Sequence, residues 1–229
     1  METSAFHLVA KFKQLKVLDM ELCLTELHAR EAALAGLSGL CNLEVLKLQM
    51  GGPYALGSCA NLPCISHLMQ LSNVLLVNVK GGLCAVAGVS ALQQLSIEVS
   101  EPWAGPEPMP ATLSSMRSLT VLQLDLAMLN PPEHVTALGT LPALASLSLK
   151  GTSNLASRDV CNALFTLTTL TILMVHNINL AGFAWSCLAG LNQLQVLRFN
   201  ETSKLVPTMY WPTSERRKIF TKNIWVSRA

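Results

Sequence analysis

Residues 144–149, Leu144-Ala145-Ser146-Leu147-Ser148-Leu149, form an LxxLxL core in which the apolar spacing changes from three to two within six positions. Read backwards, Leu141 and Leu138 extend it to a block that is apolar at i, i+3, i+6, i+9 and i+11. The same block opens at Val9-Phe12-Leu15-Leu18-Met20 and continues as Leu37-Leu40-Leu43-Leu46-Leu48, Ile65-Leu68-Leu71-Val74-Leu76 and Val86-Val89-Leu92-Leu95-Ile97. It returns as Leu113-Met116-Leu119-Leu122-Leu124, Leu164-Leu167-Leu170-Leu173-Val175 and Leu188-Leu191-Leu194-Leu197-Phe199. All 40 positions of the eight blocks are apolar and 29 are Leu, in a chain that is 51% apolar. Independent placement would give this agreement with a probability on the order of 10⁻¹², so the chain is an internal repeat.

A helical bundle does not account for the spacing. A step of three residues drifts by about 60° around an α-helix, so three such steps reach the opposite face. Only the last two positions have the two-residue spacing of a strand. Between the fourth positions, from Leu18 to Leu197, the intervals are 28, 28, 21, 27, 25, 26 and 24 residues, enough for one strand and one short helix per repeat.

With its cores Leu43-Glu44-Val45-Leu46-Lys47-Leu48 and Leu144-Ala145-Ser146-Leu147-Ser148-Leu149, the chain resembles leucine-rich repeat proteins over residues 9 to about 202. The resemblance implies an α/β solenoid, a horseshoe of about eight repeats, with parallel strands on the concave face and helices or turns on the convex one. Each repeat then buries its inner face only when a neighbour stacks on it. The family's Asn, three residues after the second strand leucine, is here Cys23, Gly51, Val79, Ser100, Ala127, Thr152, Ile178 and Thr202. Variable repeat length and a Cys or small polar residue at that place make the array most similar to the loosely periodic repeats of plants and green algae. Those in turn resemble the cysteine-containing repeats associated with F-boxes.

Composition agrees with a buried array. Only 13% of the 229 residues are charged, against about 25% in an average soluble chain. The greasiest stretch, 74–92, is interrupted by Asn78, Lys80, Gly81 and Gly82, short of the roughly 20 apolar residues a membrane span needs. Met1 to Lys16 lacks the pattern of a secretory signal, and the seven cysteines, an odd number among apolar neighbours, fit reduced core thiols. The expected location is the cytoplasm, with a cytoskeletal or axonemal place implied by the algal resemblance alone. Asn200-Glu201-Thr202 is then a sequon by spelling only.

Outside the blocks, Glu26 to Ala35 is the best convex helix by propensity. Glu101 to Pro110, with four prolines, is expected as an extended insertion, with a docking peptide around Trp103 as the alternative. Only eight residues precede Val9, so either a cap is missing or the chain is a fragment. The domain expectation is a solenoid over 1–202 and a basic, aromatic tail over 203–229. The tail holds six Lys or Arg against Glu215, a charge of +5, so the +2 chain leaves −3 upstream. A C-terminal cap is the favoured role of Tyr210, Trp211, Phe220 and Trp225; disordered or spurious coding sequence, or binding to nucleic acid or lipid, are the alternatives.

Catalytic and cofactor signals are weak. Gly51-Gly52 and Gly81-Gly82 lack the Lys-Ser/Thr of a phosphate loop. Cys59, Cys64 and His67 have zinc-capable chemistry and no fourth ligand nearby. No G-x-S-x-G occurs, and His7, His28, His134 and His176 are isolated in sequence. No cofactor or metal is expected.

Alternation instead directs attention to the exposed face of the strands. The residue between the strand leucines reads Asp19, Lys47, Leu75, Ser96, Gln123, Ser148, Met174 and Arg198; the residue after reads Glu21, Gln49, Val77, Glu98, Asp125, Lys150, His176 and Asn200. Glu98 and Asp125 side by side would make an acidic spot for a partner's Arg or Lys. On an open, solvated sheet they have no means of raising a pKa for acid/base work. Val17, Val45, Val121, Ile172 and Val196 add an apolar column, interrupted by Asn73, Gln94 and Ser146.

Such a surface points to a non-enzymatic module that binds a protein or peptide, with Lys47, Leu75, Glu98, Asp125, Lys150, Met174, His176 and Arg198 as contact residues. No nucleic acid or membrane span is expected. The alternatives are the substrate-recognition part of an F-box ubiquitin ligase and the repeat region of a larger regulatory or enzymatic protein. Circular dichroism of the purified chain is expected to show strand alongside helix; a purely helical spectrum would exclude the solenoid.

Overall fold

The three-residue spacing has a backbone cause. In the computed structural model, which describes residues 11–22, 36–50, 65–79, 82–98, 113–125, 137–150, 157–176, 188, 190–201 and 223–228, successive block positions are joined by i→i+3 hydrogen bonds. The amide of Leu40 donates to the carbonyl of Leu37 at 3.1 Å and that of Leu43 to Leu40 at 3.0 Å. Leu68 and Leu71, Met116 and Leu119, Leu167 and Leu170, and Leu191 and Leu194 repeat the pattern. Turns of this kind advance three residues per revolution and eclipse side chains at i and i+3, so consecutive leucines point the same way into the core.

Each rib then straightens into a strand. Two compact units divide the chain, Met1–Leu119 and Thr120–Ala229. In the first, β1 (Val17–Leu22), β2 (Val45–Met50), β3 (Asn73–Val77) and β4 (Gln94–Glu98) pair in parallel and in sequence order. In the second, β5 (Val121–Asp125), β6 (Ser146–Lys150), β7 (Ile172–His176), β8 (Val196–Glu201) and β9 (Asn223–Arg228) do the same. Short helical pieces return the chain between strands: 3-10 turns at Gly36–Gly39 and Ala137–Thr140, α1 (Gly82–Val86) and α2 (Ser157–Thr166). The fold is an α/β leucine-rich-repeat solenoid. The expected helix at 26–35 and the proline-rich segment at 101–110 lie outside the described residues, as do residues 203–222.

A second hydrogen-bond ladder locks repeat to repeat ahead of each strand. The carbonyl of Lys16 accepts from the amides of both Glu44 and Val45, at 2.8 and 2.9 Å, and Glu44 accepts likewise from Ser72 and Asn73. Ser72 does so from Gln93 and Gln94. The second unit repeats this through Thr120, Ala145 and Thr171, each accepting two amides of the following repeat. Hydroxyls reinforce the column: Ser72 Oγ donates to the Glu44 carbonyl at 3.2 Å and Thr171 Oγ1 to that of Ala145 at 2.9 Å. On the solvent side Lys16 Nζ meets Glu44 Oε1 at 2.7 Å. That hydrogen bond, with the attraction of the carboxylate, raises the Lys16 pKa, so its contribution is complete below the ordinary lysine range and fades only at strongly alkaline pH. Both side chains are well exposed, which keeps the contribution small.

Burial follows the block. Every described block position from Leu37 to Leu197 is 8% exposed or less, and most are fully enclosed. In the first repeat the same positions are open: Phe12 is 59% exposed and Leu15, Leu18 and Met20 are half-buried. A repeat encloses its leucines only between two neighbours, and β1 has β2 on one side. No described helix is long and apolar enough to cross a membrane.

Asn78 replaces the missing Asn column at one place. It lies two residues after Leu76 instead of three, takes a left-handed backbone with φ 56°, and donates from Nδ2 to the Met50 carbonyl of the preceding repeat at 3.5 Å. Its own amide donates to the Glu98 carbonyl of the following one at 2.8 Å. Asn tolerates this conformation better than most side chains. Cys41 departs from the expectation of core thiols: it is exposed and free, because it follows Leu40 in the turn and the inward position is already taken.

Two outcomes test this packing. Leu147 is wholly enclosed, so Leu147→Ala is expected to cost about 2–5 kcal/mol in urea unfolding, and Leu18→Ala in the open first repeat less than half as much. Gly139 leaves no room for a methyl group beside Thr166, whose Oγ1 donates to the Ala163 carbonyl. Gly139→Ala therefore forces Thr166 to turn and lose that bond, about 1 kcal/mol. Most of that cost is expected to vanish in a Thr166→Ala background, and equal cost in both backgrounds would refute the contact.

Candidate functional site

Parallel pairing without offsets aligns the outward residues of successive strands into rows about 4.8 Å apart per strand. In the first unit the rows are Val17, Val45, Asn73, Gln94; then Asp19, Lys47, Leu75, Ser96; then Glu21, Gln49, Val77, Glu98. In the second they are Val121, Ser146, Ile172, Val196; then Gln123, Ser148, Met174, Arg198; then Asp125, Lys150, His176, Asn200. These registers are the ones that the repeat spacing predicts.

The first unit grades from charged to apolar. Asp19 and Lys47 stand opposite each other on β1 and β2, exposed, with Lys47 Nζ 3.2 Å from Asp19 Oδ2. Leu75, next to Lys47 in register, is half-buried, as are Val45 and Val77. Asn73 and Gln94, which interrupt the apolar column, satisfy one another: Asn73 Nδ2 donates to Gln94 Oε1 at 3.0 Å. Glu98 ends β4 half-buried. Ser96 was not among the expected contacts, yet its Oγ is shielded from water without a hydrogen-bond partner among the described residues. A short side chain opposite Leu75 lies below the level of its longer neighbours, and sequence gives no sign of that.

The second unit also carries an apolar strip, with a different charge. Val121, Ile172, Met174 and Val196 are half-buried on its outward face. Met174 stands between Ser148 and Arg198, and Lys150 stands directly opposite His176. Lys150 and Arg198 are exposed and His176 is half-buried. Asp125, at the end of β5, is only 9% exposed, in contrast to the expected solvated carboxylate; the strand's outward position is covered there. It faces Lys150 in the register. Among the described residues no group of three or more His, Cys, Asp or Glu converges as a metal site. His67 is exposed, and Cys59 and Cys64 lie outside the described residues.

β9 was not foreseen as a strand. Its Ile224 and Val226 align with Leu197 and Phe199 of β8, so the backbone of residues 223–228 continues the strand register of the repeat. The only sequence signal was the Ile-Trp-Val triplet at 224–226, which spells an apolar-x-apolar strand.

No protein-family model matches the chain, and no curated protein matches it. Among solved structures it is similar to a chain of the crystal structure of a TLR13–ssRNA13 complex, at 15% identity and a TM-score of 0.45. The alignment covers 93% of this chain and 36% of that one, so this chain spans about a third of its length.

Proposed function

We propose that the protein is a non-enzymatic interaction module that holds a polypeptide against the outward face of its strands. The observation that supports this is apolarity on both faces of the sheet. A parallel sheet covered on one side and solvated on the other should alternate apolar-in and polar-out, and the inward leucines already close the core. Val45, Leu75 and Val77 in the first unit and Val121, Ile172, Met174 and Val196 in the second add little to that core and remain partly in water. Clustered aliphatic surface of this kind is characteristic of a face that another molecule covers. The backbone groups of the strands are committed to one another, so recognition falls to side chains. The exposed free thiol of Cys41 adds support for a reducing compartment, as in the cytoplasm.

The test is recovery of bound polypeptides from the native lysate by affinity purification and mass spectrometry. Ile172→Lys with Met174→Lys, and separately Val45→Lys with Leu75→Lys, keep an aliphatic stem over the sheet and place a charge in the patch. At least one pair is expected to reduce recovery of a specific polypeptide about tenfold or more, as loss of central interface residues does. Asn162→Lys, exposed on α2, should leave recovery unchanged. Full recovery with both pairs, at unchanged melting temperature, would refute the reading. A ubiquitin-ligase subunit among the specific partners would favour the F-box alternative.

A further inference from the structure

The second unit's outward face leaves its cations unmatched among the described residues, whereas the first pairs its one outward cation. In the first, Lys47 is neutralised by Asp19 across the β1–β2 ladder. In the second, the side chains of Lys150, His176 and Arg198 have no hydrogen-bond or ion-pair partner among the described residues. Asp125 lies opposite Lys150 in the register, but it is buried and makes its own interactions, so the surface a partner meets there is cationic. The three groups lie close together. Lys150 and His176 are direct neighbours, about 4.8 Å apart along the ladder. Arg198 opposes Met174, two residues from His176, which places it about 8 Å from His176 at a 3.3 Å rise per residue.

Apolar surface adjoins the cations on the same strands. Ile172 and Met174 on β7 and Val196 on β8 are half-buried beside them. A bound segment that lay along this face would meet an aliphatic strip and, at its edge, an ammonium, an imidazole and a guanidinium. Lysine and arginine offer several donors each, arginine in a planar fork that fits a carboxylate, and the imidazole offers an N–H donor whether or not it is protonated.

We infer that the partly apolar, cationic face of β6, β7 and β8 binds an acidic polypeptide segment, in which Asp or Glu carboxylates alternate with large aliphatic side chains. This rests on the proposed interaction role and specifies the partner's chemistry. The carboxylates sit on Lys150, His176 and Arg198, and the aliphatic side chains cover Ile172, Met174 and Val196. Charge complementarity makes the face select against basic segments, which would bring like charges together.

Fluorescence anisotropy with labelled (Glu-Leu)4, (Ser-Leu)4, (Lys-Leu)4 and an eight-nucleotide oligouridylate, titrated with the full chain at low salt, tests the assignment. The acidic peptide is expected to bind about tenfold more tightly than the serine peptide, the gain of one or two charge-assisted contacts. Lys150→Glu with Arg198→Glu should abolish that preference and favour (Lys-Leu)4, a reversal that misfolding cannot produce. Arg117→Glu, exposed in the first unit, should change nothing. Equal binding of the acidic and serine peptides would overturn this inference while leaving the interaction role standing. Binding of oligouridylate without the acidic peptide would reassign the cations to nucleic acid, and binding of no probe would overturn the inference too, with the interaction role then judged by polypeptide recovery.

Discussion

A turn closed by a hydrogen bond from residue i+3 to residue i is the constraint on which the rest of the structure depends. Two such turns in series bring three leucines to one side of the chain without an α-helix, and the strand that follows adds two more. The carbonyl just ahead of the strand then takes two amides from the next repeat, so the turn of one repeat sets the strand register of the following one. This is why pairing runs without offset in both units although the repeat intervals vary from 21 to 28 residues. Each block has the same length, so in the sequence the differences fall between the end of one block and the start of the next.

Enclosure, in such an array, is a property of neighbours. Leu46 and Leu48, with a strand on either side, are sealed, whereas Leu18 and Met20 occupy the same places in the first repeat and are half in water. The hydrophobic gain per leucine therefore belongs to the interface between repeats, and a single repeat has almost none of it. This also explains the uniformity of the inward positions: a smaller residue would leave a void on both flanks, and a larger one would push two neighbours apart.

Most of the fold was legible in the sequence because period three followed by period two has few physical realisations. What escaped was whatever broke the period or depended on neighbours. β9 keeps the strand pair Ile224 and Val226, but Glu215, Lys218 and Thr221 stand where the three preceding block positions would be, so a search for the whole block passes over it. Asn78 was missed because it serves from two residues after the strand while the family pattern asks for three. The outward face was legible as rows of residues, and the registers hold, but not as exposures. Asp125 and Lys150 are adjacent in one row and look alike in sequence, yet one is buried and the other is in water.

Inward positions are fixed by packing and backbone groups by the two ladders, which leaves the outward rows as the place where repeats can differ without cost to the fold. The first unit uses this freedom to pair Asp19 with Lys47 and Asn73 with Gln94, contacts that satisfy polar groups within the sheet. The second places Lys150, His176 and Arg198 beside Ile172, Met174 and Val196, and among the described residues these polar groups have no partner. Pairing across a ladder contributes only modestly to stability at an exposed site, so its absence is tolerated by the fold. What an unpaired cation beside aliphatic surface does change is the free energy of bringing up a carboxylate, which gains attraction from the cations and shelters the apolar strip in one step.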